Sequence, residues 1–385
     1  MRRSYYAVVM CIMGLLLFTF GVGAQEEPIK IGMNQAMTGQ FAAAGIDATR
    51  GAQMAVDEIN RAGGVLGRPL ELVVEDNRGE VEAGIAAAER LVQVHKVPVV
   101  VGPNYSFIIA ATHDIYWEAG IPNLMYGTMP NLTKLGNPYL FRTRPNDTLT
   151  ALAAVTYAVE KLGAQRIVII YQAEEWGMGG RDALTKALNE LYGMDPVATI
   201  GAHLDVRDYT GIWAEAAKYG PDLVFQWLHG GLHAGLSLRA RYELGLSHIP
   251  VLGSVAINEP GTVEVAGVEA TEGVMVVGDY FRDELKVRLV NGWYYERYGE
   301  DILGINSLTT YDTIHLVARA IEKAGVVEPN AIRDALIGLE MEGVVTTYYV
   351  REEDHESVFA VKVGVMRDGT GRWLDTVELP RDVKF

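Results

Sequence analysis

Short apolar runs alternate with amphipathic stretches along most of this chain. Ile29–Asn34 reads as a first strand, and Gly45–Ala62 as a helix. Within it Ala52, Ala55, Val56 and Ile59 recur at the i, i+3, i+4, i+7 spacing of one buried face. Leu70–Glu75 predicts a second strand, Val81–Val94 a helix, and Val97–Val101 a fully apolar strand. Helix Phe107–Ala119 and strand Pro122–Met125 complete the set. Continuously apolar strands suit a parallel sheet covered on both faces.

The alternation then begins again. Helix Thr148–Leu162, strand Arg166–Tyr171, helix Gly180–Leu191 and strand Asp195–Ile200 are followed by helix Tyr209–Tyr219 and strand Leu223–Trp227. Helix Gly231–Leu244 and strand Pro250–Gly253 close this second succession. The final third differs: Arg282–Tyr298 and Ser307–Ala324 read as long helices and Pro329–Leu339 as a shorter one. Val344–Val350 and Val358–Met366 read as strands. The fold class expected is α/β, with two doubly wound parallel-sheet units. Helices after both units let the chain return to the first and then to the second.

Composition narrows the function classes. The 385 residues are 49% hydrophobic and 21% charged, which excludes a largely disordered or collagen-like chain. A formal net charge of −16, with no basic block, argues against a nucleic-acid partner. Residues 1–24 read as a signal peptide: Arg2 and Arg3, an apolar run over Ala7–Phe20, then Val22-Gly23-Ala24 before a cut after Ala24. The single cysteine, Cys11, falls inside that segment and too early for a lipoprotein cleavage site. The exported chain is therefore expected to hold no disulfide, thiol nucleophile or cysteine metal site.

Parallel sheets place ligands beyond the carboxyl ends of their strands, so the segments just after strands carry the candidate chemistry. Gly102-Pro103-Asn104-Tyr105-Ser106 leads into a helix that Ser106 is placed to cap, a junction suited to a carboxylate. Tyr126-Gly127-Thr128 follows the next strand, with a hydroxyl and an amide at Thr128. Trp176, set among glycines after Glu174-Glu175, reads as a flexible aromatic lid, and the two acids as solvated. His229 follows the strand ending at Trp227; with His233 it lacks a third metal ligand and reads as pocket rim. No esterase elbow, zincin motif or phosphate loop occurs, so neither an enzyme nor a cofactor is expected.

The order of motifs is more specific than any one of them. Ile29-Lys30-Ile31-Gly32, Met37-Thr38-Gly39, and Ile59-Asn60-Arg61-Ala62-Gly63-Gly64-Val65-Leu66-Gly67-Arg68 are followed by Val101-Gly102-Pro103. Phe141-Arg142, Trp176-Gly177-Met178-Gly179, Glu272-Gly273 and Tyr311-Asp312 come after them in order. The chain so resembles the periplasmic leucine/isoleucine/valine-binding protein family, the extracellular receptors of ABC-type importers, over nearly its whole exported length. The resemblance implies two lobes joined by three crossover segments and closing on one ligand, with an ABC permease as membrane partner and a periplasmic location. The lobes would be residues 25–145 plus 278–348, and 146–277 plus 349–385.

Carried over position by position, the resemblance assigns ligand binding to Ser106 and Thr128, with Tyr105 and Tyr126 beside them. Trp176, His229 (or Gly230) and Asn306 complete the set. Two positions depart from the family. Val255 stands where leucine-type members hold the ligand's ammonium with a carboxylate, Glu259 being the nearest acid, and Ala44 stands at an aromatic gate. An ammonium without a counter-charge is poorly compensated in a dry cleft. The ligand class expected is therefore open among amino acids, small organic or aromatic acids, and amides. A sensor of the same fold, signalling to a membrane or regulatory partner, is the alternative function.

Overall fold

The computed structural model describes residues 27–383, apart from Gln40 and Leu303. The expected signal peptide lies outside the described residues. The first sheet contains β1 (Ile29–Gln35), β2 (Leu70–Asp76), β3 (Val100–Val101), β4 (Asn123–Met125) and β5 (Leu140–Arg142), in the order β2-β1-β3-β4-β5. All its pairings are parallel. The second holds β6 (Ile167–Gln172), β7 (Ala198–Ala202), β8 (Leu223–Trp227), β9 (Val251–Gly253) and β10 (Met275–Gly278). After the small ribbon β11 (Glu340–Glu342) and β12 (Thr347–Tyr349), it gains β13 (Ala360–Arg367) and β14 (Thr370–Glu378). Its order is β14-β13-β10-β9-β8-β6-β7, parallel except at β13 and β14.

The two lobes have separate cores because each sheet is apolar on both faces. Ile31, Met33, Val99, Val101 and Leu124 of the first sheet pack with Val287, Val290, Leu308 and Ile314 of the late helices. The second sheet divides its core: Ile167, Ile169 and Phe225 face one side, Val168, Ile170 and Val224 the other. Each such side chain contributes roughly 1.5–3 kcal/mol by burial. The chain crosses between lobes three times. Arg142 ends β5 and helix Asp147–Thr156 lies in the second core; β10 is followed by helix Leu285–Tyr298 in the first; β12 is followed by β13.

Most predicted elements are present with shifted ends. Strand Val97–Val101 pairs only at Val100 and Val101, although Val97 and Val99 are fully buried. Helix Val81–Val94 ends as an α-helix at Arg90 and continues as a single wider turn. Val344–Val350 is a hairpin end, only Thr347–Tyr349 being strand. Strands β5, β10 and β14 were not expected from the pattern: the first two have three and four residues, and β14 (TGRWLDTVE) has exposed polar positions along an edge.

In the first sheet the strand order reverses between β1 and β3, and in the second between β6 and β8. Loops leaving adjacent strands part company at such points and open a crevice at the carboxyl ends. The loops concerned are those around Thr38-Gly39 and Gly102–Tyr105 in one lobe, and Ala173–Trp176 and Leu228–Gly231 in the other.

Candidate functional site

On the first lobe, Ser106 is the first residue of helix Ser106–Glu118, not its cap; Tyr105 holds the cap position and no side chain caps this helix. The Ser106 hydroxyl instead accepts the Met129 N–H at 3.3 Å, linking the loop after β3 to the loop after β4. Tyr105 packs, tilted by 34°, on Phe41 at 4.2 Å between ring centres. An aromatic does therefore stand after the Thr38-Gly39 turn, three residues before the position at which the family comparison pointed to Ala44. Asn306 accepts a hydrogen bond from Asn104 at 3.4 Å, tying helix Ile305–Ala324 to the same loop. Tyr126 is different: its ring is fully buried in the first core and its hydroxyl is hydrogen-bonded to Gln35. It offers no open stacking face, because a strand-end side chain facing the core cannot also face the crevice.

On the second lobe, the lid reading is corrected. Trp176 lies in the first turn of helix Glu175–Tyr192. Glu174, expected to be solvated, caps that helix, accepting the N–H groups of Trp176 at 3.0 Å and Gly177 at 2.9 Å. The glycines serve close approach. A Cβ on Gly177 would come within 2.0 Å of the Gln172 carbonyl oxygen, and one on Gly180 within 2.2 Å of the Trp227 ring. Trp176 is thereby fixed against two stacked rings, His229 at 4.8 Å and Trp227 at 6.2 Å between ring centres. Glu174 also contacts His229 Nε2 at 3.2 Å. His233 is buried with its Nδ1 on the Tyr209 hydroxyl at 3.0 Å.

The two lobes meet around a cavity of about 140 Å³ whose wall includes Thr128, Arg144, Asp147, Trp176, Ser254 and Asp279. Thr128 and Trp176 are thus the predicted residues brought to one cavity. Ser106 adjoins it through Met129, and His229 through Trp176. Tyr105 and Asn306 form a second cluster on the first lobe with Phe41 and Asn104 and do not line this cavity.

The charged members were not among the predicted residues. Arg144 leaves β5 and Asp279 leaves β10, and they form an ion pair at 2.5 Å across two crossovers. Asp147 opens the helix capped by Asn146, and its backbone N–H donates to the Thr128 carbonyl at 3.0 Å. The residue is partly open to the cavity, yet its carboxyl sits deep. Burial pushes its pKa up to about 6, against the pull of the Arg144 charge, a Thr128 hydrogen bond and the Arg142 charge. Val255 also lines the cavity, whereas Glu259 does not: its carboxylate lies over Gly230, where burial raises its pKa although the residue as a whole is exposed. Both Arg144 and Asp279 follow strands, so they obey the rule used to find the other candidates.

Comparison with known proteins agrees with this architecture. A family model described as periplasmic binding protein matches residues 28–370. The leucine-, isoleucine-, valine-, threonine- and alanine-binding protein of Pseudomonas aeruginosa is 26% identical over 340 residues, covering 87% of this chain and 88% of the relative. Leu/Ile/Val-binding protein homolog 1 of Brucella abortus is 27% identical over 344 residues, again 87% and 88%. Among solved structures, the branched-chain amino acid transporter substrate binding protein LivJ of Streptococcus pneumoniae, in complex with isoleucine, superposes with a TM-score of 0.77. It is 27% identical, and the match covers 91% of this chain and 99% of that one.

Proposed function

The chain belongs to the periplasmic binding protein family, a family of solute-binding proteins rather than enzymes, and from that premise we propose that it is an exported receptor delivering an amino acid to an ABC permease. The observation that carries this reading is the Asp147 carboxylate in the inter-lobe cavity. It supplies the counter-charge for a ligand ammonium that Val255 does not, beside the Thr128 hydroxyl and in a cavity that Trp176 also lines. The Ser106 and Thr128 loops hold the ligand carboxylate on one lobe. Trp176 and His229 cover it from the other when the lobes, residues 25–145 plus 278–348 and 146–277 plus 349–385, close about their crossovers. The receptor works in the periplasm after cleavage behind Ala24.

A thermal-shift screen of the purified protein, dialysed out of denaturant to remove carried-over ligand, tests this. The panel is amino acids against aliphatic acids, aromatic acids and amides. A ligand at ~100 times its dissociation constant adds about 2.7 kcal/mol, a plain rise in midpoint. Midpoints that move only with compounds lacking an ammonium would sink the amino-acid reading.

Trp176→Ala is expected to weaken whichever ligand emerges at least ~10-fold, since a desolvated aromatic at the centre of a site commonly carries that much. The unfolding midpoint without ligand should hardly change, because the ring is partly open at the cavity and the helix cap at Glu174 uses backbone N–H groups. Unchanged affinity in the folded variant, measured by calorimetry, would remove Trp176 from the site.

A further inference from the structure

Resting on the receptor reading above, we propose that the inter-lobe cavity selects amino acids whose side chain carries an uncharged oxygen, amide or hydroxyl, over branched aliphatic ones. Two polar groups in the cavity wall have no partner among the described residues. Ser254 is only 2% exposed, and its hydroxyl, at the carboxyl end of β9, makes no hydrogen bond. The Arg144 Nε–H is likewise buried and unpaired. Neither is required for folding contacts: the Ser254 backbone already donates to Gln226 and accepts from Ile257, and the Arg144 guanidinium is anchored through Nη2 on Asp279.

Buried polar groups are normally satisfied, and a pair left open in a ligand cavity marks what the ligand must supply. Arg144 Nε can only donate and Ser254 can donate, so the missing piece is an acceptor. Charge decides which kind. Asp279 already neutralises Arg144, and Asp147 is matched to the ligand ammonium, so a side-chain carboxylate would enter without a cation to meet it. A neutral oxygen offers these donors an acceptor and adds no charge. A valine or leucine methyl leaves both unpaired, the situation in which binding sites discriminate most strongly.

Isosteric pairs test this with the purified protein. Calorimetry with threonine against valine, and asparagine against leucine and aspartate, is expected to give dissociation constants at least ~10-fold lower for threonine and asparagine. Ser254→Ala should bring threonine and valine within about twofold of each other. Its unfolding midpoint without ligand should stay in place, because no hydrogen bond is lost. Valine matching threonine, aspartate outbinding asparagine, or a threonine preference that survives Ser254→Ala would overturn the proposal. A panel in which no amino acid binds, alanine included, would instead sink the amino-acid reading, and this inference with it.

Discussion

Replacing Asp147 by Asn is expected to abolish amino-acid binding at neutral pH, raising the dissociation constant by at least ~100-fold, while making the ligand-free protein more stable. The first effect follows from a buried ammonium losing the cavity carboxylate assigned to it, a cost of about 2–5 kcal/mol when one partner of a desolvated pair is truncated. The second follows from linkage. Burial raises the Asp147 carboxyl to about 6, above its value in the unfolded chain. The folded protein therefore holds the proton more tightly, and the stability this one group contributes is fully present below about pH 4 and is lost as pH rises through about 6. An asparagine does not ionise, so the variant keeps what the wild type loses, on the order of 1–3 kcal/mol at pH 7. Asp312 is also raised to about 6 by burial, against bonds from the Val344 and Val345 N–H groups. Asp147→Asn should thus flatten only part of the stability–pH curve.

The pH dependence of binding has a sign that identifies the ligand class. An ammonium-bearing ligand needs Asp147 ionised, so its dissociation constant should rise as pH falls through about 6. A ligand with a carboxylate and no ammonium is repelled by the same group, and its dissociation constant should fall over that interval. Calorimetry between pH 5 and 8 reads the sign directly. A slope of the second kind would overturn the role given to Asp147.

The residues that decide this chemistry were the hardest to read from the chain, for a physical reason. Long strands such as Ile167–Gln172 and helices such as Ile305–Ala324 declare themselves by periodicity, and the two-lobed α/β plan with its returning helices follows from them. Trp176 was found because it follows such a strand, and Thr128 because the run Pro122–Met125 before it reads as one although only three of its residues pair. Arg144 and Asp279 follow β5 and β10, whose three and four residues are too short to show a period. The same rule applied to those strands would have pointed to both. Tyr126 and the Trp176 glycines failed differently. Whether a strand-end ring faces core or crevice depends on partners such as Gln35, about 90 positions away. Whether a glycine serves mobility or close approach depends on what lies over it, here Gln172 and Trp227. Local sequence carries neither fact.

One further residue pair tests how the crossovers support the site. Arg142 and Glu356 are both fully buried and pair at 3.0 Å, joining the first crossover to the third. The Arg142 guanidinium also donates to the carbonyls of Gly127 and, at 2.8 Å, of Met129, the two residues flanking Thr128. Glu356 takes a second hydrogen bond from Thr133 at 2.8 Å. Arg142→Met leaves a carboxylate buried without its cation and should cost about 3–5 kcal/mol of stability. The double variant Arg142→Met, Glu356→Met removes both charges together and should recover most of that loss, since apolar replacements of buried pairs are often neutral. Ligand affinity should not recover with it. The Gly127 and Met129 carbonyls would still lack the guanidinium that holds the Thr128 loop in register with Ser106, and a positioning role predicts a persistent loss of ~10-fold or more. Denaturant unfolding and calorimetry on the single and double variants separate the two effects. A double variant regaining stability and affinity together would reduce Arg142 to a packing residue, whereas stability alone would place the receptor's first crossover within its binding apparatus.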